Sequence, residues 1–193
     1  MESERSIQDH QGNPVALPED NRQQVVSYLK HQASKSTSDL LALVDRAADW
    51  IEQSLVGVSE SQARFRASPD EWSVADVLRH VDASMRGTSR IIKALAIGEE
   101  AHPDMAAPVV PEDAGKTLAE LRNSVAESYD EVREAVAAIP YGPAPEATAR
   151  TPFFGDLNCK EWAAFVYVHS RDHSNQIEQV KALWRANTPS VSG

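Results

Sequence analysis

From residue 36 onward the chain repeats one pattern: apolar residues three or four positions apart, then a polar or proline-bearing break. In STSDLLALVDRAADWIEQSL, the residues Leu40, Leu41, Val44, Ala48, Ile51 and Leu55 recur at helical spacing. Ser36, with Asp39 three positions later, predicts an acidic capping box at the start of this helix. A connection follows over 56–70, with room for one helical turn before Pro69. The second helix is predicted to start at Ser73, again with an acid, Asp76, three positions on. Trp72 and Val77 flank that cap as a hydrophobic staple, and Val74, Val77, Leu78, Val81, Met85, Ile92 and Leu95 form the apolar stripe up to Gly98. The third helix opens at Thr117 with Glu120, buries Leu118, Leu121, Val125, Val132, Val136 and Ile139, and stops at Pro140. Residues 140–157 hold four prolines and two glycines and predict a loop. The last helix begins at Asn158, with Glu161 completing the box and Leu157 and Trp162 as the staple. Its stripe is Trp162, Phe165, Val166, His169, His173, Ile177, Val180 and Trp184.

Four amphipathic helices without β alternation or internal repeats predict an all-α four-helix bundle over residues 36–187. Residues 98–116 are too many for a tight helical hairpin, so this segment is expected to cross the bundle. Residues 1–18 are polar, carry Gly12, Pro14 and Pro18, and lack periodicity. Together with a short helix predicted over 19–33 on Val25, Val26 and Leu29, they make an N-terminal arm, 1–35. Residues 188–193 form a tail.

Composition narrows the function classes. A length of 193 residues, 25% charged and 41% hydrophobic, suits one soluble domain with a real core. The net charge of −10 repels nucleic-acid phosphates and anionic lipid, and no Lys/Arg run offsets it. No nucleic-acid or membrane partner is therefore expected. The polar N-terminus lacks the apolar core of a signal peptide, and no run of about twenty apolar residues occurs. The lone Cys159 excludes an intramolecular disulfide and suits a reducing cytoplasm.

The stripe of the last helix breaks its own rule at His169 and His173, where Leu or Phe would be expected. Spaced i,i+4, the two imidazoles share one face and can take adjacent corners of one metal's coordination shell. The same pair is also what two hydrogen-bonded core residues look like. Two ligands are too few for a durable site, so a third would have to come from another helix. His80, at the edge of the second helix's stripe, is favoured over His102 in the long loop and over His10 and His31 near the N-terminus. Gln176, one turn after His173, and Ser84, one turn after His80, are expected beside such a site or lining its pocket. Asp76 is explained by capping, Asp172 and Arg171 by surface pairing, and Tyr167 by packing. At Cys159 the helix macrodipole would lower the thiol pKa, although a lone cysteine is more often inert. No general base or other catalytic residue is assigned.

Two stretches carry a family resemblance. EWSVADVLRHVDAS is similar to the Trp-Ser-x₆-His segment of the DinB-like superfamily of metalloenzymes. FFGDLNCKEWAAFVYVHSRDHSNQIEQV resembles the last helix of that family, where a Gly-x-Leu/Met-x₃-Glu-Trp segment precedes a His-x₃-His pair and a Gln-Ile. The resemblance spans residues 36–187 and implies an up-down-down-up bundle. It also implies a metal site of His80, His169 and His173, with Zn²⁺ or Ni²⁺ the usual occupants. Three protein ligands leave positions for water or substrate. Members include S-transferases and isomerases that use low-molecular-weight thiols such as bacillithiol or mycothiol. The resemblance therefore implies a metal-dependent thiol S-transferase, or a hydrolase-like enzyme, acting on a small electrophile. The other class left open is a non-enzymatic bundle that binds a small ligand or partner, with a structural metal or none. A homodimer through exposed helix faces is compatible with either.

Overall fold

The computed structural model describes residues 18–101, 115–142, 144, 146–151 and 153–188. Residues 1–17, 102–114 and 189–193, with His10 and His102 among them, lie outside the described residues. The elements in chain order are α1 (Glu19–Ala33), α2 (Thr37–Ser54), α3 (Glu60–Ala63), α4 (Val74–Ala96), α5 (Leu118–Ala137), β1 (Ala149–Thr151), β2 (Gly155–Leu157) and α6 (Cys159–Asn187).

Each bundle helix starts where the capping pattern places it. Ser36, Ser73, Thr117 and Asn158 are the N-caps of α2, α4, α5 and α6, and each forms a reciprocal capping box with the acid three residues on. The box satisfies backbone N–H groups that would otherwise lack partners in the first turn. At α4 the box is buried. The Ser73 N–H and hydroxyl donate to Asp76 Oδ2 at 2.8 and 2.5 Å, while the guanidinium groups of Arg66 and Arg79 pair with the same carboxylate.

Side-chain pairs between helices give the direction of each. On α4 and α5 the partners rise together, from Asp82 with Ser124, through Arg86 with Glu131, to Lys93 with Glu134, so these helices run parallel. Trp50 and Ser54 of α2 accept hydrogen bonds from Ser174 and Lys181 of α6, which makes that pair parallel too. Glu52 pairs with Arg122 and Asp45 with Arg133, so α2 and α5 are antiparallel. The four helices are thus up-down-down-up. Helix α2 packs on α6 and α5, and α4 packs on the same two, which puts α2 and α4 at opposite corners. A parallel α4–α5 pair needs a connection that runs the length of the bundle, which explains the long segment between them.

The core is drawn from the predicted stripes. Leu40, Val44, Ile51, Val77, Leu78, Val81, Ile92, Leu95, Val132, Val136, Trp162, Val166 and Ile177 are all buried, whereas Leu41 and Ala48 are only half-buried beside buried Leu43 and Ala47. Tyr129, absent from the predicted stripe of α5, is fully enclosed, and its hydroxyl lies 2.6 Å from Ser170 Oγ of α6. Helix α1 packs on α6 and α2 through buried Leu29, with Val25 and Val26 half-buried.

One correction concerns residues 140–157, read from the sequence as loop. They contain a two-stranded antiparallel hairpin, pairing Ala149 with Leu157 and Thr151 with Gly155. Strands of three residues are too short to show alternation, and Gly155 takes a left-handed φ of 78° where the chain turns back. The Trp162 indole donates to the Ala149 carbonyl at 3.2 Å, tying the hairpin to α6.

The start of α4 should be the most sensitive of the four caps. Ser73→Ala is expected to cost about 1 kcal/mol. Asp76→Ala, which removes the buried cap acceptor together with the carboxylate that Arg66 and Arg79 share, should cost about 3 kcal/mol. Urea unfolding with unchanged m-values measures both, and an Asp76→Ala loss no larger than that of Ser73→Ala would contradict the clamp.

Candidate metal centre

Helix α4 contributes one imidazole and α6 contributes two. His80, His169 and His173 are 1%, 4% and 0% exposed. The Nε2 of His169 lies 3.3 Å from that of His80 and 3.2 Å from that of His173. Among the described residues these three form a group able to hold a metal ion, with one ligand atom each and all three atoms within 4.8 Å of one another. Two imidazole nitrogens bound to zinc at about 2.0–2.1 Å and subtending a tetrahedral angle stand roughly 3.3–3.4 Å apart. The two separations from His169 match that edge length, and the whole set lies within 4.8 Å, so the residues fit a divalent ion.

The chemistry of the donors fits as well. Gln176 Oε1 accepts a hydrogen bond from His173 Nδ1 at 2.9 Å. That bond places the His173 proton on Nδ1 and leaves the Nε2 lone pair facing the other two rings. Burial lowers the pKa of all three. His80 falls to about 2 through burial and repulsion from His173. His173 falls to about 4, against a raising effect of Gln176. His169 is held well below its ordinary value by burial and by both neighbours. Neutral imidazole is the form that binds metal. The Nδ1 atoms of His80 and His169 are buried without a hydrogen-bond partner, so of the three rings only His173 has its Nδ1 held by a side chain.

A family model for the DinB superfamily matches residues 43–177, well over half of the chain. The chain belongs to the DinB superfamily. Comparison with curated proteins and with solved structures gives no significant match. In this DinB-superfamily bundle the two stretches that carried the resemblance supply the three imidazoles, and α4 and α6 bring them together.

The other predicted site residues fall as follows. Ser84 Oγ lies 3.3 Å from His80 Nε2, and Gln176 serves His173, so both adjoin the triad. Asp76 is held by its cap and two arginines. Tyr167 packs between Tyr28 and Trp50, and the Arg171 guanidinium sits 5.6 Å from the centroid of the Trp50 ring. His31 is exposed on α1. Cys159 corrects the expectation of a lowered thiol pKa: it is buried, and desolvation raises its pKa despite its place in the first turn of α6.

Trp72, in the staple position before the α4 cap, also sets its ring 5.0 Å from that of His80 and nearly parallel to that of His173 at 6.4 Å. Trp72 lies eight residues before His80 and ahead of the α4 cap, so no local spacing rule links the two. On the other side Phe165, read as core, lies 5.6 Å from His169, with Phe154 of the hairpin packed edge-on behind it. The imidazoles are thus walled by aromatic rings.

Two outcomes follow. Gln176→Ala should weaken metal affinity by about 10–100-fold with little change in fold, as measured by competition with a chelator. An unchanged affinity would mean that the His173–Gln176 bond does not orient a ligand. Because the folded-state pKa values lie below the ordinary histidine value, the unfolded chain takes up protons that the folded chain refuses as pH falls below about 6.5. Stability of the metal-free protein should therefore be full above that pH and should fall between pH 7 and 5, by at most about 2 kcal/mol per histidine. Urea unfolding at the two pH values tests this, and equal stability at both would contradict it.

Proposed function

We propose that this DinB-superfamily bundle is a metal-dependent enzyme whose open centre, His80, His169 and His173, takes Zn²⁺ or Ni²⁺ and activates a low-molecular-weight thiol for transfer to a small electrophile. The observation that carries this reading is the convergence of the three Nε2 atoms, with His173 fixed by Gln176 so that its lone pair points inward. A divalent ion bound by three imidazoles supplies Lewis acidity, lowering the pKa of a thiol or water that enters a position left free by the protein.

The residues supply the remainder. Trp72 and Phe165 give the triad apolar walls, which exclude water and suit the carbon skeleton of a small substrate. In S-transfer the thiol gives up its proton, sulfur bonds to the electrophilic carbon, and the leaving group departs with the bonding electrons and takes up the proton. Hydrolysis follows the same accounting with water in place of the thiol. No helix among the described residues is long and apolar enough to cross a membrane, and the acidic chain with its single buried thiol supports a cytoplasmic setting without a nucleic-acid partner.

A second reading draws on the near-complete burial of the three histidines, which also suits a structural ion in a non-enzymatic binding bundle. Metal analysis of the purified protein, paired with thiol-conjugation assays on small electrophiles, separates the two. The enzyme reading predicts about one Zn²⁺ or Ni²⁺ per chain, loss of the metal in His169→Ala, and turnover that disappears on chelation and returns on reloading. A metal whose removal lowers Tm while no thiol conjugation or hydrolysis is ever found supports the structural reading. Absence of metal, with His169→Ala unchanged in behaviour, would contradict the enzyme and the structural ion alike and leave only a non-enzymatic bundle without metal.

A further inference from the structure

We propose that the Ser84 hydroxyl is the hydrogen-bond donor to a small anion, a thiolate or hydroxide, that completes the donor set of His80, His169 and His173. The proposal rests on the reading of those histidines as a metal centre and assigns the protein group that receives the exogenous ligand.

Position is the first argument. Ser84 follows His80 by one helical turn on α4, shares its face, and places Oγ 3.3 Å from His80 Nε2. It is half-buried where the three imidazoles are almost closed to solvent, so it marks the side of the cluster nearer the surface.

The second argument is what the hydroxyl leaves unused. A helical serine can return its O–H to a carbonyl of the preceding turn or turn it to a neighbouring helix, as Ser124 and Ser174 do with Asp82 and the Trp50 carbonyl. Ser54, Ser128 and Ser170 take the first course, bonding the carbonyls of Ile51, Val125 and Val166 at 2.7–2.8 Å. Ser84 instead makes its hydrogen bond with the imidazole nitrogen.

The third argument is competition. An imidazole nitrogen offers one in-plane site, either a proton or a lone pair. His80 Nε2 faces both Ser84 Oγ and His169 Nε2 at 3.3 Å. In the metal-free protein the Ser84 O–H can donate to the His80 lone pair. A cation that takes that lone pair removes the acceptor and leaves a donor beside the centre. An anion entering the coordination shell is the acceptor that replaces it, and a hydrogen bond to a charged atom is among the stronger kinds.

The full chain loaded with Co²⁺ and titrated with 2-mercaptoethanol tests this, with the sulfur-to-cobalt charge-transfer band in the near ultraviolet as the readout. Ser84→Ala should bind Co²⁺ as the unaltered protein does but bind the thiol about tenfold more weakly. Ser84→Thr, which keeps the hydroxyl, should recover most of that loss. Equal thiol affinity in Ser84→Ala would overturn the proposal and leave the metal centre standing. Loss of Co²⁺ itself in Ser84→Ala would make the serine a direct ligand and would also overturn it. An unaltered protein that binds no Co²⁺ would remove the metal reading and this proposal together.

Discussion

Imidazoles left to apolar packing would not turn their Nε2 atoms toward one another in a dry interior. Each such nitrogen gives up hydrogen bonds with water, and the desolvated ring is held neutral well below its ordinary pKa. Here His169 Nε2 stands within 3.3 Å of the corresponding atoms of both neighbours, at positions all but closed to solvent. The arrangement is stable if a cation occupies the convergence, and the scaffold is organised so that α4 and α6 can meet at this level.

Two helices must then be held in register to within a fraction of a side chain. The Asp76 clamp fixes the cap of α4, seven residues before its histidine. Helix α6 is fixed from three directions: the capping box and the Trp162 bond to the hairpin below the site, the Tyr129–Ser170 contact beside it, and the bonds from Ser174 and Lys181 to carbonyls of α2 above it. The up-down-down-up arrangement brings α4 and α6 together at adjacent corners, although α5 and the long crossing segment separate them in sequence.

Much of this was legible in the sequence because the signals are local. All four N-caps could be placed, since a capping box is a short-range pattern with a fixed offset, and His169 and His173 stood out by interrupting a 3.6-residue stripe. What escaped depends on tertiary contacts. Trp72 obeys the staple pattern and gives no local sign that its ring also faces two histidines. Tyr129 is polar enough to be left out of a stripe, and its burial depends on a hydroxyl partner on the opposite helix. The hairpin strands are too short for alternation to register. At Cys159 the macrodipole argument named a real effect, but desolvation is the larger one at a buried position. The assignment of His80 came through family resemblance, since spacing alone could not tie a residue on α4 to a pair on α6.

Membership of the DinB superfamily and the geometry of the triad support the same account: a helical scaffold that presents three neutral imidazoles to a divalent ion and leaves part of its coordination shell free. X-ray absorption at the metal edge of the zinc-loaded protein tests that claim most directly. The account predicts three imidazole nitrogens at about 2.0–2.1 Å, with the shell completed by an oxygen or by the sulfur of an added thiol. A shell with fewer than three imidazoles, or one that does not change when thiol is added, would contradict it.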